Sequence, residues 1–279
     1  MSKDANGGAP TQLGSARAPQ TQGRRQYHLG VAPGEVAQHV LLVGDPARAR
    51  KVAARFDEIE LERSHREFIT ITGTHRGLRV SVVGTGISAA NMEITVVELS
   101  RCVSRPVLVR CGSCGALRPE VGLGDLVISS AAVRMEGTSA HWVEPGFPAV
   151  AHHDVIAALI AAARDSGARH RVGITATADG FYGAQGRPFG GLEPRDPGRV
   201  DRLAAQGVLN LEMEVSCLLT LAAVTCIRAG AVCAVYATRY DDRFADASVR
   251  DAAEARMLEV GLDALHRARA ADAVNPRPA

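Results

Sequence analysis

Short, fully apolar runs that alternate with helical patterns constrain the fold of this chain more than any other feature. The first is HVLLV at residues 39–43, and a Gly-Asp-Pro turn and an amphipathic segment starting at Pro46 follow it. Runs without polar alternation are typical of strands buried on both faces beneath helices. Because this alternation continues without an internal repeat or linker, we predict a single α/β domain with a mixed central β-sheet flanked by helices.

Composition sets the limits of that domain and excludes several classes of function. Residues 1–25 lack any apolar periodicity, which predicts a disordered leader; the domain is assigned to residues 26–271 and a tail to residues 272–279. The 32 basic and 30 acidic residues include no basic run, so no nucleic-acid partner is expected. No apolar stretch reaches the ~20 residues of a membrane span, so no membrane partner is expected either. The six cysteines suit a reducing compartment and no signal peptide is apparent, so we expect a cytoplasmic protein.

The segment VLVRCGSCG at residues 107–115 is the strongest candidate for a functional site. Its apolar start predicts a buried strand that ends at Val109, followed by a glycine-rich turn whose backbone N–H groups can face an anion. Arg110 and Ser113 lie in this predicted turn, and a guanidinium beside a hydroxyl suits phosphate. A plain strand-to-turn corner with a surface arginine is the alternative interpretation.

Three other places carry candidate residues, each with a structural alternative. Arg48 falls in the first turn of the first helix, near the carboxyl end of a strand, where α/β sheets bind ligands. Glu212 and Glu214 bracket Met213 at the start of an apolar helix, where carboxylates either favour the helix dipole or accept hydrogen bonds from ligand hydroxyls. Residues 186–199, rich in Gly, Pro and Arg, predict a mobile surface segment or lid.

A dinucleotide-binding pattern also occurs. Residues 84–89, GTGISA, fit G-x-G-x-x-A between a strand and a helix. The acidic residue that this fingerprint needs at the end of the next strand is missing, which disfavours a nicotinamide site.

Five short motifs occur in a fixed order along the chain: Gly44-Asp45-Pro46-x-Arg48, Ser64-His65-Arg66-Glu67-Phe68, Arg110-x-Gly-Ser-x-Gly115, Phe181-Tyr-x-x-Gln185-x-Arg187 and Glu212-Met213-Glu214. Together they resemble the nucleoside phosphorylase-I family, most closely its uridine-specific branch, from about Tyr27 to the C-terminal helix. The resemblance implies phosphorolysis of uridine, and of deoxyuridine, to uracil and (deoxy)ribose 1-phosphate in pyrimidine salvage. Such an enzyme is a pentosyltransferase.

The resemblance also implies roles for individual residues. Phosphate would be held by Gly44, Arg48, Arg66, Arg110 and Ser113. The ribose would contact His28, Glu212, Met213 and Glu214. The base would meet Phe181, Gln185, Arg187 and Arg239, and the catalytic set would be Arg110, Glu214, Gln185 and Arg187.

Inorganic phosphate is the implied co-substrate, and no organic cofactor is expected. Some family members hold a monovalent cation such as K⁺ at a subunit interface, and the corresponding trio here is Glu67, Ile87 and Asn91. Arg66 and His28 would reach the active site of a neighbouring subunit, which implies a homo-oligomer, with a hexamer built from dimers as the expected form. This chain departs from the family at residues 88–91, where SAAN replaces a turn close to Gly-Gly-Pro-Ser.

Other activities compete with uridine phosphorolysis. Purine-specific relatives have an aspartate after the last strand, where this chain has Thr238, so a purine or broader pyrimidine phosphorylase is the less favoured alternative. A nucleoside-binding module without turnover is another alternative. A redox pair of Cys111 and Cys114 is disfavoured, because phosphorolysis needs no covalent nucleophile.

Overall fold

The computed structural model describes residues 14–21 and 23–274, which form eleven strands and six α-helices. The strands are β1 (His39–Val43), β2 (Glu58–His65), β3 (Phe68–His75), β4 (Leu78–Gly84), β5 (Val107–Ala116), β6 (Leu126–Met135), β7 (Ala149–Val150), β8 (His170–Ala178), β9 (Asn210–Glu212), β10 (Arg228–Thr238) and β11 (Arg243–Phe244). The helices are α1 (Pro46–Ala53), α2 (Ala89–Cys102), α3 (His153–Asp165), α4 (Arg199–Ala205), α5 (Val215–Val224) and α6 (Ala247–Val274). Short 3₁₀ turns occur at Ser139–His141 and Gly183–Gln185.

All described strands belong to one mixed sheet, part of which closes on itself. Strand β10 pairs with both β5 and β6, and β9 pairs with both β8 and β5, so β5, β10, β6, β8 and β9 form a ring. From β5 the sheet continues through β1, β4, β3 and β2 as an open extension. Both parallel and antiparallel pairs occur, as between β1 and β5 and between β3 and β4. The predicted single α/β domain with a mixed sheet is confirmed.

Helices cover the sheet on two sides. Leu41 and Val43 of β1 pack in a cluster with α1, α3 and α6, whereas Val40 and Leu42 pack in a second cluster with α2 and α5. Side chains that alternate along a strand point to opposite faces, so a run buried on both faces must be apolar at every position. Each fully buried Leu or Val side chain stabilises the fold by about 1.5–3 kcal/mol relative to exposure.

The predicted turn after Val109 is wrong. Strand β5 continues through residues 110–116, and its pairing with β10 runs along this whole segment, from Ala231↔Arg110 to Thr238↔Ala116. The glycines do not form a turn; they leave room for arginine side chains. A Cβ on Gly112 would lie 3.1 Å from Nη2 of Arg110, and one on Gly115 would lie 3.5 Å from Cγ of Arg239. Both arginines therefore fold over glycines of the strand.

The remaining elements show smaller differences from the prediction. Strand β2 was not predicted, since its side chains are mostly exposed and charged, and α4 begins at Arg199, where a mobile segment was expected to end. Helix α6 runs to Val274, beyond the predicted start of the tail. Residues 1–13 and 22 of the predicted leader and 275–279 of the tail lie outside the described residues. None of the helices in the described part is long and apolar enough to cross a bilayer.

Candidate active site

A cavity of about 700 Å³ opens where β1, β5 and β9 end. Most of the predicted site residues line it, although they come from distant parts of the chain. Those that do are Gly44, Arg48, Glu67, Ile87, Asn91, Arg110, Ser113, Phe181, Gln185, Arg187, Glu212, Met213 and Glu214. The predicted residues outside this lining are His28, Arg66 and Arg239.

Arg110 is buried on the cavity wall with only 3% of its surface exposed. Its Nη2 donates to the Glu214 carboxylate, and its Nε lies 3.6 Å from Oε2 of Glu212. Burial opposes the charge, but these two carboxylates raise the pKa of Arg110, so the guanidinium stays cationic. Its Nε and Nη1 are buried and make no hydrogen bond to any described residue. A buried donor without a hydrogen bond is costly, so an additional acceptor close to these atoms would stabilise this arrangement.

The two glutamates of the Glu-Met-Glu motif have different environments. Glu212 accepts from the backbone N–H groups of Glu214 (2.7 Å) and Val215 (3.0 Å) and from the Thr177 hydroxyl (2.5 Å), so it caps the start of α5. Burial raises the pKa of Glu212, and Arg110 opposes that rise. The Glu214 carboxylate points elsewhere, to Arg110 and to the backbone N–H of Ser88 at 2.6 Å. Each oxygen of Glu214 therefore meets one donor, whereas Glu212 accepts from three donors and holds the helix start in place.

Arg48 enters the cavity from the first turn of α1, which Asp45 caps by accepting from the backbone N–H of Ala47 at 2.8 Å. The Arg48 side chain is held from behind by Glu254 of α6, with Nε to Oε2 at 2.7 Å. Gly44 and Ser113 also line the cavity, and the strands that carry them pair side by side, with Val43 of β1 opposite Cys111 of β5. Two guanidinium groups, a hydroxyl and a glycine backbone thus share one end of the cavity, which gives it a positive character.

A different set of groups comes from the loop after β8. The buried side chain of Gln185 accepts from Nη1 of Arg187 at 2.8 Å, and the Arg187 guanidinium lies 3.9 Å from the centre of the Phe181 ring. An amide oxygen has two lone pairs, so Gln185 keeps one acceptor site and its NH₂ for a ligand. Burial and the nearby charge of Arg239 lower the pKa of Arg187 to about 10. Arg239 lies behind Gly115, and its buried Nη1 makes no hydrogen bond to any described residue.

His28 and Arg66 lie together outside the cavity lining. His28 Nδ1 lies 2.8 Å from the buried Glu98 carboxylate, and the Arg66 guanidinium sits 4.6 Å from the centre of the Tyr27 ring. Arg66 is exposed in the turn that joins β2 and β3, with a φ of 55°. Within the described part of one copy of the chain, neither residue lines the cavity.

Glu67, Ile87 and Asn91 all line the cavity. A Cβ built on Gly86 would lie 2.7 Å from Nδ2 of Asn91 and 3.8 Å from Cγ of Glu67, so these two side chains flank the same backbone. Ile87 is 66% exposed beside them. Their carboxylate, amide and backbone carbonyl oxygens are ligands that suit a hard monovalent cation.

Several lining residues were not among the predicted site residues. Tyr236 near the end of β10 and Phe244 on the short strand β11 both border the cavity, as do Leu211 and Cys114. Tyr236 follows a buried apolar run. Its hydroxyl near the end of a strand was the one feature of the sequence that could have indicated a site residue. Phe244 offers none, because it depends on a hairpin return of β11 onto β10.

Comparison with known proteins agrees with this geometry. The phosphorylase superfamily matches residues 38–267, which include the cavity lining. This chain belongs to the phosphorylase superfamily. A uridine phosphorylase of Thermococcus kodakarensis is 44% identical over 243 residues, covering 86% of this chain and 87% of that protein. A uridine phosphorylase of Salmonella typhimurium is 35% identical over 246 residues, covering 86% of this chain and 97% of that protein.

The superfamily also contains a relative with a different named substrate. A guanosine phosphorylase of Halorubrum lacusprofundi is 33% identical over 211 residues, covering 76% of this chain and 83% of that protein. Here the Thr238 hydroxyl donates to the Asp241 carboxylate, and Asp241 is not among the residues that line the cavity.

The structure also argues against a redox role for Cys111 and Cys114. Cys111 lies on the face of β5 that meets α6, where a Cβ on Gly261 would come within 2.3 Å of its Sγ. Cys114 packs on the other face, in a cluster with Cys233. Burial raises the pKa of Cys111 to about 12, so its thiol is unreactive at neutral pH.

Proposed function

We propose that this protein catalyses the phosphorolysis of uridine, and of deoxyuridine, to uracil and (deoxy)ribose 1-phosphate. The observation that carries this proposal is Arg110, a buried cation whose Nε and Nη1 lack hydrogen bonds beside the Glu214 carboxylate. In this proposal Arg110 binds the phosphate anion and also contacts Glu214, the carboxylate that binds the ribose hydroxyls. The named activity of the two similar uridine phosphorylases supports the same reaction.

Phosphate would occupy the positive end of the cavity. Arg48, Arg110 and Ser113 supply guanidinium and hydroxyl donors there, and the backbone at Gly44 lies open to an anion. Hydrogen bonds between charged partners contribute about 1.5–3 kcal/mol each, and a guanidinium can bind two phosphate oxygens at once. Phosphate is the co-substrate in this scheme, and the residues need no organic cofactor.

The sugar would lie between phosphate and base. Glu214 would accept hydrogen bonds from the ribose hydroxyls once it releases the Ser88 N–H or Arg110, and Met213 would pack against the ring. Glu212 would act through the start of α5 rather than by direct contact, because backbone and Thr177 donors already engage its oxygens.

At the base end, Gln185 would bind the amide edge of uracil and Phe181 would pack against the base or sugar. Arg187 would face the departing base, with Arg239 behind it. A phosphate oxygen attacks C1′ as the bond from C1′ to N1 breaks, and the bonding electron pair leaves with uracil. Cations at the base edge accelerate the reaction because negative charge develops there in the transition state.

The assembly proposed for this enzyme is a homo-oligomer, with a hexamer built from dimers as the expected form. Its support is the position of Arg66 and His28, which lie outside the cavity of their own chain. In a dimer they would complete the neighbour's phosphate and ribose sites. A K⁺ ion held by Glu67, Ile87 and Asn91 of adjoining copies belongs to the same proposal. Light scattering that found a fully active monomer would contradict it.

We place this activity in the cytoplasm, in pyrimidine salvage. The direct test measures release of the free base from uridine with and without inorganic phosphate. Deoxyuridine, inosine and guanosine serve as parallel substrates. Phosphate-dependent release from uridine and deoxyuridine alone is the expected result. Comparable release from guanosine would favour the activity named for the Halorubrum relative. Release without phosphate would mean hydrolysis, and binding without release would mean a non-catalytic nucleoside-binding module.

A further inference from the structure

Glu254 of α6 is a buried carboxylate that the proposed reaction does not use directly. Only 8% of the residue is exposed, and it does not line the cavity. Its carboxylate nevertheless receives three donors: Nε of Arg48 at 2.7 Å, Nζ of Lys51 at 2.7 Å and the hydroxyl of Tyr236 at 3.1 Å. Two of these donors, Arg48 and Tyr236, line the cavity.

The contacts fix the plane of the Arg48 guanidinium. Nε is bound by Glu254, and Nη2 lies 3.4 Å from the Tyr236 hydroxyl, which itself donates to Glu254. A guanidinium is a planar fork, so a contact at two of its nitrogens sets the direction of the third. An arginine in the first turn of a helix has several rotamers, and this clamp selects among them at the cavity wall.

We propose that Glu254, together with Tyr236, is a positioning residue that orients Arg48 for phosphate. The inference rests on the proposed function, in which phosphate binds beside Arg48. Precise donor placement matters because a shift of about 1 Å in a site can reduce the rate on the order of 10²-fold. Burial opposes ionisation, but the hydrogen bonds from Lys51 and Arg48 hold the pKa of Glu254 below its usual value. The carboxylate is therefore charged at neutral pH.

Charge and geometry predict opposite effects when Glu254 is neutralised. Arg48 and Lys51 carry two positive charges and Glu254 one negative charge, so the cluster has a net charge of about +1 at neutral pH. Glu254→Gln raises that charge by one unit, and electrostatics alone would then tighten phosphate binding. Loss of the clamp would weaken it. The direction of the change in KM for phosphate therefore distinguishes positioning from a simple charge effect.

The experiment compares Glu254→Gln with Glu259→Gln, which neutralises an exposed glutamate on the same helix. We expect Glu254→Gln to raise KM for phosphate about tenfold, a change that corresponds to about 1.4 kcal/mol, with KM for uridine within about twofold. Glu259→Gln should leave both values unchanged. A lower or unchanged KM for phosphate in Glu254→Gln would overturn the proposal, even if its melting temperature falls.

Two further variants separate positioning from folding. Glu254→Asp keeps the charge on a shorter side chain, so it should raise KM for phosphate without a change in net charge. In an Arg48→Ala background, Glu254→Gln should change kcat/KM for phosphate by less than about twofold, because the residue through which it acts is gone. A full additive loss there would show that Glu254 does not act through Arg48.

Calorimetric titration with inorganic phosphate makes the test independent of turnover. If the wild-type protein releases no uracil, the proposed function fails, yet weaker phosphate binding by Glu254→Gln and Glu254→Asp would still support positioning. Equal phosphate binding by these variants and the wild type would refute positioning even if the wild-type protein is fully active.

Discussion

Replacing Arg110 with methionine tests the centre of the proposed site. Methionine is uncharged, unbranched and shorter than arginine, so the substitution removes the guanidinium and keeps much of the buried volume. Two carboxylates, those of Glu212 and Glu214, then lose their shared cation inside the protein. At the same time the cavity loses Nε and Nη1, which make no hydrogen bond within the described residues and would donate to phosphate.

The expected magnitudes follow from these contacts. Two charge-assisted hydrogen bonds at about 1.5–3 kcal/mol each amount to roughly 3–6 kcal/mol, or about 10²- to 10⁴-fold in kcat/KM for phosphate. Removing one partner of a buried ion pair costs about 3–5 kcal/mol of folding free energy. For a domain of this size that lowers the melting temperature by roughly 6–20 °C.

The loss of stability should depend on pH in a defined direction. Burial already raises the pKa of Glu212, and without Arg110 only the hydrogen bonds from the Thr177 hydroxyl and the Glu214 backbone N–H oppose that rise. A carboxyl with a raised folded-state pKa binds its proton more tightly when folded, so stability increases as the pH falls through that pKa. Arg110→Met should therefore lose less stability at about pH 5.5 than at about pH 8.

The assays are steady-state kinetics with phosphate and uridine varied separately, and thermal unfolding at both pH values. Arg171→Met removes an exposed arginine of β8 and serves as the matched control. Arg110→Lys should recover stability better than phosphate kinetics, because an ammonium replaces the charge but not the fork. Unchanged phosphate kinetics in Arg110→Met, or an equal rise in KM for uridine, would refute the assignment.

Two other predictions concern the base end and the far side of the domain. Arg187→Met should lower kcat for uridine by roughly 10²-fold, and by less for 5-fluorouridine, whose more stable base anion needs less help; equal losses for both nucleosides would count against a leaving-group role. Nδ1 of His75 lies 3.1 Å from Nε2 of His266, and burial, then neighbouring positive groups, lower the pKa of both rings. Unfolding then takes up protons below about pH 6.5, so melting temperature should fall as the pH drops from about 7.5 to 5.5. His266→Gln should flatten that slope, and an identical slope in the variant would refute the explanation.

Local sequence patterns predicted the alternation of strands and helices because each buried strand had to be apolar on both faces. The same patterns failed where long-range pairing decides the structure. Glycines after Val109 indicate a turn when read locally, yet β10, more than 100 residues later, pairs along that segment and keeps it extended. Strand β2 was missed for a related reason, since its exposed residues carry no apolar alternation.

Site residues were predictable where motif and geometry coincide, and not elsewhere. Arg48, Arg110 and Glu214 belong to short motifs, and the fold brings all three to one cavity. Glu254 has no motif, and it contacts Arg48 across 206 residues of sequence, so only the folded chain reveals it. The roles of His28 and Arg66 remain predictions, because they depend on a second copy of the chain.

The most direct test of phosphorolysis follows both products of one reaction by ³¹P NMR and ultraviolet absorbance. With uridine and inorganic phosphate, the account predicts a new phosphate-ester signal of ribose 1-phosphate that grows mole for mole with uracil. Added ribose 1-phosphate and uracil should also regenerate uridine, since phosphorolysis conserves the glycosyl bond energy as an ester. Uracil that appears while the inorganic phosphate signal stays constant would contradict the account.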